Sequence, residues 1–522
     1  MGVPVPLDFL SGVQRDGTQL DANRALDALW TRWRLGRPRK IGGYQDVVDV
    51  AAAGIPRKVH CFYDGANVYV HFGSTTGFWQ VVLDQNGNLV SSTNRTPAGF
   101  PGTANLSWTV DAIFDTTSSA VQIVGHAAPS ALLPANATPT TPYIGILTAA
   151  SALTAFGNPM PPSGSWTVPS ISGGIACVQP FLFDFDSNGL VQWSAANLPL
   201  YLGTVGGNTG AGQARISAQK VVAALPLRGG GVQSPAALFW TLSEVVTAVF
   251  SGSPTWFSFN TISPSSSILS QASVIEYDSL YFWMGVGRAL VFNGTVEEIP
   301  NTQNQDWFFN NLTPGFEGQT FALKFPRYGE IWWCAPMFGN TFPSHAIIFN
   351  LRENSWYDTE LPQQLTAGFF AQGFKYPITA RSDGAGGTFV SLYDKGNDAV
   401  PVSGSAVAIR SYYETPWMGG PKNNPPDDSG FSDQQLEVDF VQSGDMFAYV
   451  LGAGNVRAPI SQGPKAPIPA APANPQQQII GLKKGARISR IHFESNILGG
   501  SYISGHHLLH AARNEMRQTS GG

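Results

Sequence analysis

The sequence predicts an all-β protein, namely a β-propeller of six blades, or seven, with long Pro/Gly/Ser-rich loops and a small additional β region at the C-terminus. Only 12% of the 522 residues are Asp, Glu, Lys or Arg, whereas 57 are Gly and 38 are Pro. Surface helices need charged faces, so this composition favours strands and turns. Groups of short β-forming runs recur about every 40–60 residues, which is typical of propellers.

The clearest copy of this repeated unit is the segment 273–300. β-forming runs at 280–283 and 289–292 flank a turn, and Asn293-Gly294 turns the chain again because Asn-Gly tolerates the positive φ angles of a tight hairpin. The segment therefore predicts a meander of antiparallel strands with aromatic faces. The aromatic residues expected in the propeller core are Tyr281, Trp283, Phe292 and Trp332.

Similar strand groups lie on both sides of this segment. They occupy residues 58–82, 106–125, 175–193, 236–259, 330–361 and 387–413. The connectors rich in Pro, Ala, Ser, Thr and Gly cover residues 127–142, 158–174, 203–213 and 419–429. Loops of this length in a compact domain are usually functional or mobile.

Three regions follow from this pattern. We expect an N-terminal arm with a basic Trp/Arg segment at 1–57, propeller blades at 58–430 and a C-terminal β region at 431–522. Residues 458–478 form a Pro/Ala-rich linker that is expected to be extended and exposed. Strands near the C-terminus either close the propeller against the N-terminal segment or form a separate β module.

The charge and the cysteines of the chain indicate its cellular compartment and limit the classes of partner. The net charge of −5 is not that of a typical nucleic-acid-binding chain. Cys61, Cys177 and Cys334 lie far apart beside strand-like residues, which predicts buried free thiols and folding in a reducing cytosol. The first residues do not resemble a secretory signal, and no apolar run reaches the length of a membrane span.

The strongest charge feature is a basic segment near the N-terminus. It contains Arg24, Trp30, Arg32, Trp33, Arg34, Arg37, Arg39 and Lys40, with Asp27 as its one acidic residue. The spacing fits a short helix or a strand equally well. The functional interpretation is contact with a protein neighbour or with DNA phosphate. The alternative is a solvated strand edge that its charges keep from pairing.

Other motifs carry weaker signals for chemistry. Residues 184–189 resemble the first half of a calcium loop, but Ala195 stands where the bidentate Glu would be, so a hairpin turn is favoured. His506, His507 and His510 have no Cys or acidic cluster nearby, which favours a solvated segment over a metal site. We therefore predict no catalytic residues, no metal and no cofactor.

Three segments resemble a known family. The run 37–44, RPRKIGGY, resembles the opening of the tail nozzle, or packaged-DNA stabilisation, proteins of short-tailed phages. The central run 267–294 is similar to the most recognisable blade of those proteins. Phe493-Glu494-Ser495-Asn496 followed by Gly499-Gly500 is similar to their C-terminal strand pair. The resemblance rests on the order in which the three segments occur along the chain.

The resemblance implies a non-enzymatic virion tail protein that assembles in the host bacterial cytoplasm. Such a protein forms a homohexameric ring below the portal and adaptor proteins and contacts tail fibre or tip proteins. Its ring extends the channel for packaged double-stranded DNA without sequence-specific binding, and it retains the genome until ejection. The alternative hypothesis is a carbohydrate-binding or carbohydrate-cleaving propeller, and no membrane insertion is expected for either.

Overall fold

The computed structural model confirms an all-β protein, with 55% of the described residues in strands and 3% in α- or 3-10 helix. It describes residues 5–102, 106–129, 141–156, 173–202, 210–228, 235–418, 430–455, 458–470, 478–482, 484 and 486–514. Most of the long connectors predicted from the sequence lie outside these residues.

The N-terminal region forms short strands that are spread over several sheets. They are β1 (Val5–Pro6), β2 (Leu10–Val13), β3 (Arg24–Ala25), β4 (Asp27–Leu29), β5 (Thr31–Arg34), β6 (Arg37–Lys40) and β7 (Tyr44–Val50). The segment around Trp30 therefore forms strands and not the short helix that the sequence also allowed.

Six antiparallel sheets, I to VI, then follow in chain order within the described residues. Sheet I contains β8 (Pro56–Tyr63), β9 (Asn67–Ser74), β10 (Phe78–Asp84) and β11 (Leu89–Asn94). Sheet II contains β12 (Leu106–Asp115), β13 (Ala120–Pro129), β14 (Tyr143–Ile146) and β15 (Thr154–Ala155). Sheet III contains β16 (Gly174–Val178), β17 (Phe181–Phe185), β18 (Leu190–Ala195), β19 (Leu198–Leu202) and β20 (Gly212–Arg215).

The next three sheets have four strands each. Sheet IV contains β21 (Val221–Pro226), β22 (Ala236–Thr241), β23 (Val245–Gly252) and β24 (Trp256–Ser263). Sheet V contains β25 (Ile275–Tyr277), β26 (Leu280–Met284), β27 (Ala289–Phe292) and β28 (Val296–Glu298). Sheet VI contains β29 (Phe321–Phe325), β30 (Glu330–Ala335), β31 (His345–Asn350) and β32 (Ser355–Glu360). Helix α1 (Gln305–Asn311) and the 3-10 turns Gln271–Ser273 and Glu317–Gln319 lie in the connections.

Sheet VII combines strands from distant parts of the chain. It contains β33 (Ala367–Phe369), β34 (Ile378–Ser382), β35 (Thr388–Tyr393), β36 (Asp398–Val400) and β37 (Val407–Ala408), with β7 inserted between β35 and β36. Val48 of β7 lies opposite Val390 of β35. The N-terminal arm thus supplies a strand to the last sheet of the series, and the residue after β7 leads directly towards sheet I.

Neighbouring sheets share hydrophobic clusters. Aromatic pairs across these contacts are Phe78–Trp108 between sheets I and II, Phe183–Phe239 between III and IV, Trp240–Trp283 between IV and V, and Phe282–Phe349 between V and VI. Ile113 and Cys177 belong to one cluster that joins sheets II and III. Sheet VII also packs against sheet I, because Val59 and Val70 share a cluster with Ile378 and Val390.

Strands β2 and β3 pair in a parallel two-stranded sheet, and the other remaining strands form a terminal module built from both ends of the chain. Its C-terminal strands are β38 (Ser411–Glu414), β39 (Gly430–Val438), β40 (Phe440–Ser443), β41 (Met446–Ala453), β42 (Ser461–Gln462), β43 (Ala466–Ile468), β44 (Gln478–Leu482), β45 (Ile488–Ser495), β46 (Ser501–Ser504) and β47 (Leu508–Asn514). The three sheets of the module have the strand orders β1-β47-β39-β44, β4-β38-β45-β41-β42 and β40-β46-β6-β5, with β43 also pairing with β41.

This module differs from the predicted regions in two ways. Strand β38 lies within the predicted propeller range but pairs with β4 and β45 of the module. The predicted linker at 458–478 contains the paired strands β42 and β43, whereas residues 471–477 lie outside the described part of the chain. The pairing partners of these strands are far away in sequence, so local composition did not reveal them.

The predicted meander at 273–300 is confirmed as sheet V. Its strands pair in order, with Phe282 opposite Ile275 on one side and Val291 on the other. Gly294 adopts a φ of 116°, which is why the turn after β27 needs a glycine. Tyr281, Trp283, Phe292 and Trp332 are all buried, as is each of the three unpaired cysteines.

Candidate interaction surface at the β5–β6 hairpin

The basic segment forms a hairpin at the junction between the terminal module and sheet VI. Strands β5 and β6 pair antiparallel, with Arg34 opposite Arg37, and Leu35-Gly36 forms the two-residue turn. Both turn residues have positive φ angles, 54° and 76°. Positive φ angles at both residues are those of a type I′ turn, whose twist matches the twist of the two flanking strands. One side of the hairpin is buried against sheet VI and the other reaches the surface.

The two tryptophans lie in the core. Trp30 and Trp33 have exposed fractions of 1% and 0%. The Trp30 ring packs edge-on against Trp332 at 6.0 Å, and the Trp33 ring lies 5.1 Å from Tyr357. Trp30 Nε1 also donates a hydrogen bond to the Gly42 carbonyl. These side chains therefore join the terminal module to sheet VI and are not available to a partner.

Arg32 is the central charge of this junction. Its side chain is fully buried, with Nε 3.1 Å from Glu330 Oε1 and Nη1 3.1 Å from Asp394 Oδ1. Its guanidinium also lies over the Tyr328 ring at 3.6 Å. Burial by itself lowers the pKa of Arg32, but the two carboxylates hold that pKa above its ordinary value. The side chain therefore remains a cation inside the protein.

Glu330 has further donors that satisfy its buried carboxylate. Trp332 Nε1 donates to Oε2 at 2.9 Å, and the Tyr357 hydroxyl donates to Oε1 at 2.8 Å. A buried ion pair is stable only when additional hydrogen bonds satisfy its oxygens. Both oxygens of Glu330 meet that condition, whereas Arg32 Nε and Nη2 make no hydrogen bond within the described residues; the ion pair nevertheless joins β5 to sheet VI.

Lys40 is also internal. Its exposed fraction is 4%, and its Nζ donates a hydrogen bond of 2.8 Å to the Gly500 carbonyl. Burial lowers the pKa of Lys40 to about 8, and the nearby Asp398 opposes that shift. Arg24 is half-buried and donates to the Ser11 carbonyl. Both residues thus contribute to packing within the chain.

The prediction of a partner contact is therefore corrected for part of the segment. Trp30, Arg32, Trp33 and Lys40 form an interface, but it is intramolecular, because their charge and aromatic partners come from distant strands of the same chain. Four predicted residues do reach the surface: Arg34 is exposed, and Arg24, Arg37 and Arg39 are half-buried.

Residues of sheet VI that sequence reasoning missed extend this surface. Arg327 and Arg352 are exposed in the turns β29–β30 and β31–β32. The guanidiniums of Arg39 and Arg327 lie 5.7 and 5.4 Å from the Tyr328 ring centre. Leu35 at the hairpin tip is 83% exposed. We call the set Arg34, Leu35, Arg37, Arg39, Arg327 and Arg352 the Leu35 surface.

The hairpin tip is held in a defined position. Both Leu35 N–H and Gly36 N–H donate to the Glu353 carboxylate, at 2.5 and 3.1 Å. The Ser11 hydroxyl donates to the same carboxylate at 3.2 Å. On the other side of the tip, a cleft of about 210 Å³ is lined by Leu7, Asp8, Phe9, residues 35–38 and residues 504–507. The hairpin tip is therefore anchored by the Glu353 carboxylate and bordered by a cleft.

The other motifs noted in the sequence have structural roles. Asp186 Oδ1 accepts hydrogen bonds from the backbone N–H groups of Asn188 and Leu190, which confirms the hairpin turn. The described part of the chain contains no cluster of three His, Cys, Asp or Glu side chains suited to a metal. His507 is buried and bonds to Ser504, so the prediction of a solvated histidine segment is wrong at this position.

Comparison with known proteins gives no assignment. No model of a known protein family matches the chain, and no curated protein matches it. Among the described residues, no helix is long and apolar enough to cross a membrane.

Proposed function

We propose that sheets I to VII are the seven blades of a β-propeller and that β7 completes the last blade. The support is the packing of sheets I to VI, each on the next, together with the cluster that joins sheet VII to sheet I. The number seven is the larger of the two expected from the sequence. In this arrangement the N-terminal arm links the last blade to the first, which ties the two ends of the series together.

We further propose that the chain is a structural subunit of a short-tailed phage tail. Six copies form a nozzle ring below the portal and adaptor, extend the DNA channel and retain the packaged genome until ejection. The subunit has no enzymatic role, resides in the virion tail and is assembled in the host cytoplasm. It contacts the adaptor and tail fibre or tip proteins.

The observation that carries this proposal is the meeting of two of the segments that resemble the nozzle family. Lys40, in the N-terminal segment, donates to the carbonyl of Gly500, in the C-terminal segment, at 2.8 Å. Asp398 accepts a hydrogen bond from Gly499 N–H, also at 2.8 Å. Two resembling segments that lie at opposite ends of the chain thus belong to one packed unit, which favours a common origin over two chance matches.

The charge of the chain fits passage of DNA. Six copies of a chain with net charge −5 carry −30 in total. Acidic residues that face the channel would repel the phosphate backbone and let DNA slide without sequence-specific binding. A channel lined mainly by Lys and Arg would contradict this part of the proposal.

The proposal is tested by measuring the mass and symmetry of the purified chain. Light scattering after size-exclusion chromatography should give about six times the 55.8 kDa of one chain, and negative-stain images should show six-fold rings. Particles that stay monomeric in the presence of a portal–adaptor complex would contradict it. Cleavage of a polysaccharide by the monomer would favour a carbohydrate-active propeller instead.

A further inference from the structure

The Leu35 surface concentrates positive charge that the described part of this chain does not neutralise. None of its five arginines lies within 4.0 Å of a carboxylate in the described residues, unlike the buried Arg32. Arg352 instead donates to the carbonyls of Arg327 and Pro326, at 2.8 and 2.9 Å. Arg37 Nη2 lies 2.5 Å from His506 Nε2. These contacts hold the guanidiniums of Arg37 and Arg352 in place without an ion pair, and Glu353 at the hairpin tip is the neighbouring carboxylate.

Leu35 has no role in the packing of its own chain. Its side chain is 83% exposed, and its φ of 54° lies in a region that Asn and Gly adopt more easily than Leu. A two-residue turn of this kind favours Asn-Gly. The arginines around this exposed leucine match the composition of protein interfaces, and the leucine offers them an apolar centre without a role in the turn.

We infer that the Leu35 surface binds an acidic protein partner that has an apolar socket for Leu35 rimmed by carboxylates. Arginine is enriched in protein interfaces, and the Leu35 surface presents five arginines, of which Arg39 and Arg327 lie over the buried Tyr328 ring. The phosphate backbone of DNA complements the arginines but offers no apolar contact for the leucine. The combination therefore favours a protein over nucleic acid. The inference is independent of the proposed six-fold ring.

The test uses three fluorescent probes and the full-length protein. The probes are a short peptide of glutamate and leucine, the matched peptide with serine in place of every leucine, and a DNA duplex of equal charge. The glutamate–leucine peptide should bind most tightly. Leu35→Asn should remove its advantage over the serine peptide, because the apolar contact is lost while the turn is kept.

Charge-reversal variants should distinguish the contribution of these arginines to peptide binding from the contribution of the overall charge of the chain. The double variant Arg327→Glu/Arg352→Glu should weaken binding of both peptides about tenfold or more. Arg215→Glu/Arg288→Glu is the matched control, since it reverses two arginines of sheets III and V that are not part of the Leu35 surface, and it should leave binding unchanged. Equal binding of the two peptides, or tighter binding of the DNA duplex that Leu35→Asn does not alter, would overturn the inference.

Discussion

Arg32 and Glu330 form an ion pair in which both side chains are fully buried, with 3.1 Å between Nε and Oε1. The pair joins β5 of the terminal module to β30 of sheet VI, residues that are far apart in sequence. Because a buried charge without its partner is costly, this contact ties the position of the module to the integrity of sheet VI.

Removing the charge of Glu330 should destabilise the protein. Glu330→Gln leaves Arg32 buried with Asp394 as its one carboxylate partner, so we expect the free energy of unfolding to fall by about 3–5 kcal/mol. Denaturant unfolding followed by tryptophan fluorescence measures the change. The control is Glu276→Gln, which disrupts a partly exposed pair with Lys324 and should cost less than about 1 kcal/mol. Equal effects of the two substitutions would contradict the anchoring role of Arg32.

Strand β7 should depend on one buried carboxylate. Asp46 Oδ2 lies 2.8 Å from Arg381 Nη2, and Asp46 Oδ1 accepts a hydrogen bond from the Ser391 hydroxyl. Asp46→Ala should lower stability by about 3 kcal/mol and speed hydrogen exchange of the β7 amides. Asp49→Ala, at an exposed position of the same strand, is the control and should change neither measurement. Unchanged exchange in Asp46→Ala would show that β7 is held by other contacts.

Replacing Leu35 at the hairpin tip should not destabilise the protein and should increase its stability. Leu35→Asn places a residue suited to positive φ at the turn, so we expect the free energy of unfolding to rise by about 1 kcal/mol. Leu498→Asn changes a leucine that is 62% exposed without a positive φ, and it should give no gain. A clear loss of stability in Leu35→Asn, measured by thermal unfolding, would mean that Leu35 packs within its own chain.

Acid should weaken the protein through buried histidine. Burial, followed by the charge of Arg37, lowers the pKa of His507 to about 3. Its Nδ1 also accepts a hydrogen bond from Asp439 N–H, which requires a neutral ring. Below pH 6.5 the unfolded chain binds a proton at this histidine and the folded protein does not, so acidification favours unfolding.

The size of this effect can be measured by difference. When the pH falls from 6.5 to 5, the free energy of unfolding of the wild type should decrease by about 2 kcal/mol more than that of His507→Gln. His506→Gln is the neighbouring control, because His506 is 67% exposed, and it should follow the wild-type pH dependence. Parallel pH profiles for wild type and His507→Gln would contradict the neutral buried state.

Local signals in the sequence predicted the sheets well. In segment 273–300, dense β-forming runs and the Asn293-Gly294 turn mark the strands and the turn within a few residues, and sheet V follows them. The all-β class also follows from composition. These features depend on interactions between near neighbours in the chain, which a single sequence displays directly.

Contacts between residues that are far apart in the chain could not be predicted from the sequence. The partners of Arg32 are Glu330 and Asp394, some three hundred or more positions away, so an internal charge network had the same local pattern as a basic surface. The insertion of β7 beside β35 was hidden for the same reason. Arg327 and Arg352 join the Leu35 surface only because sheet VI brings their turns beside the hairpin.

The most direct measurement of the central proposal is negative-stain imaging of the full-length chain mixed with a portal–adaptor complex. We expect six-fold rings of this protein attached below the adaptor, each with an axial channel. A monomer that does not associate with the complex, and that depolymerises or binds a polysaccharide, would contradict it.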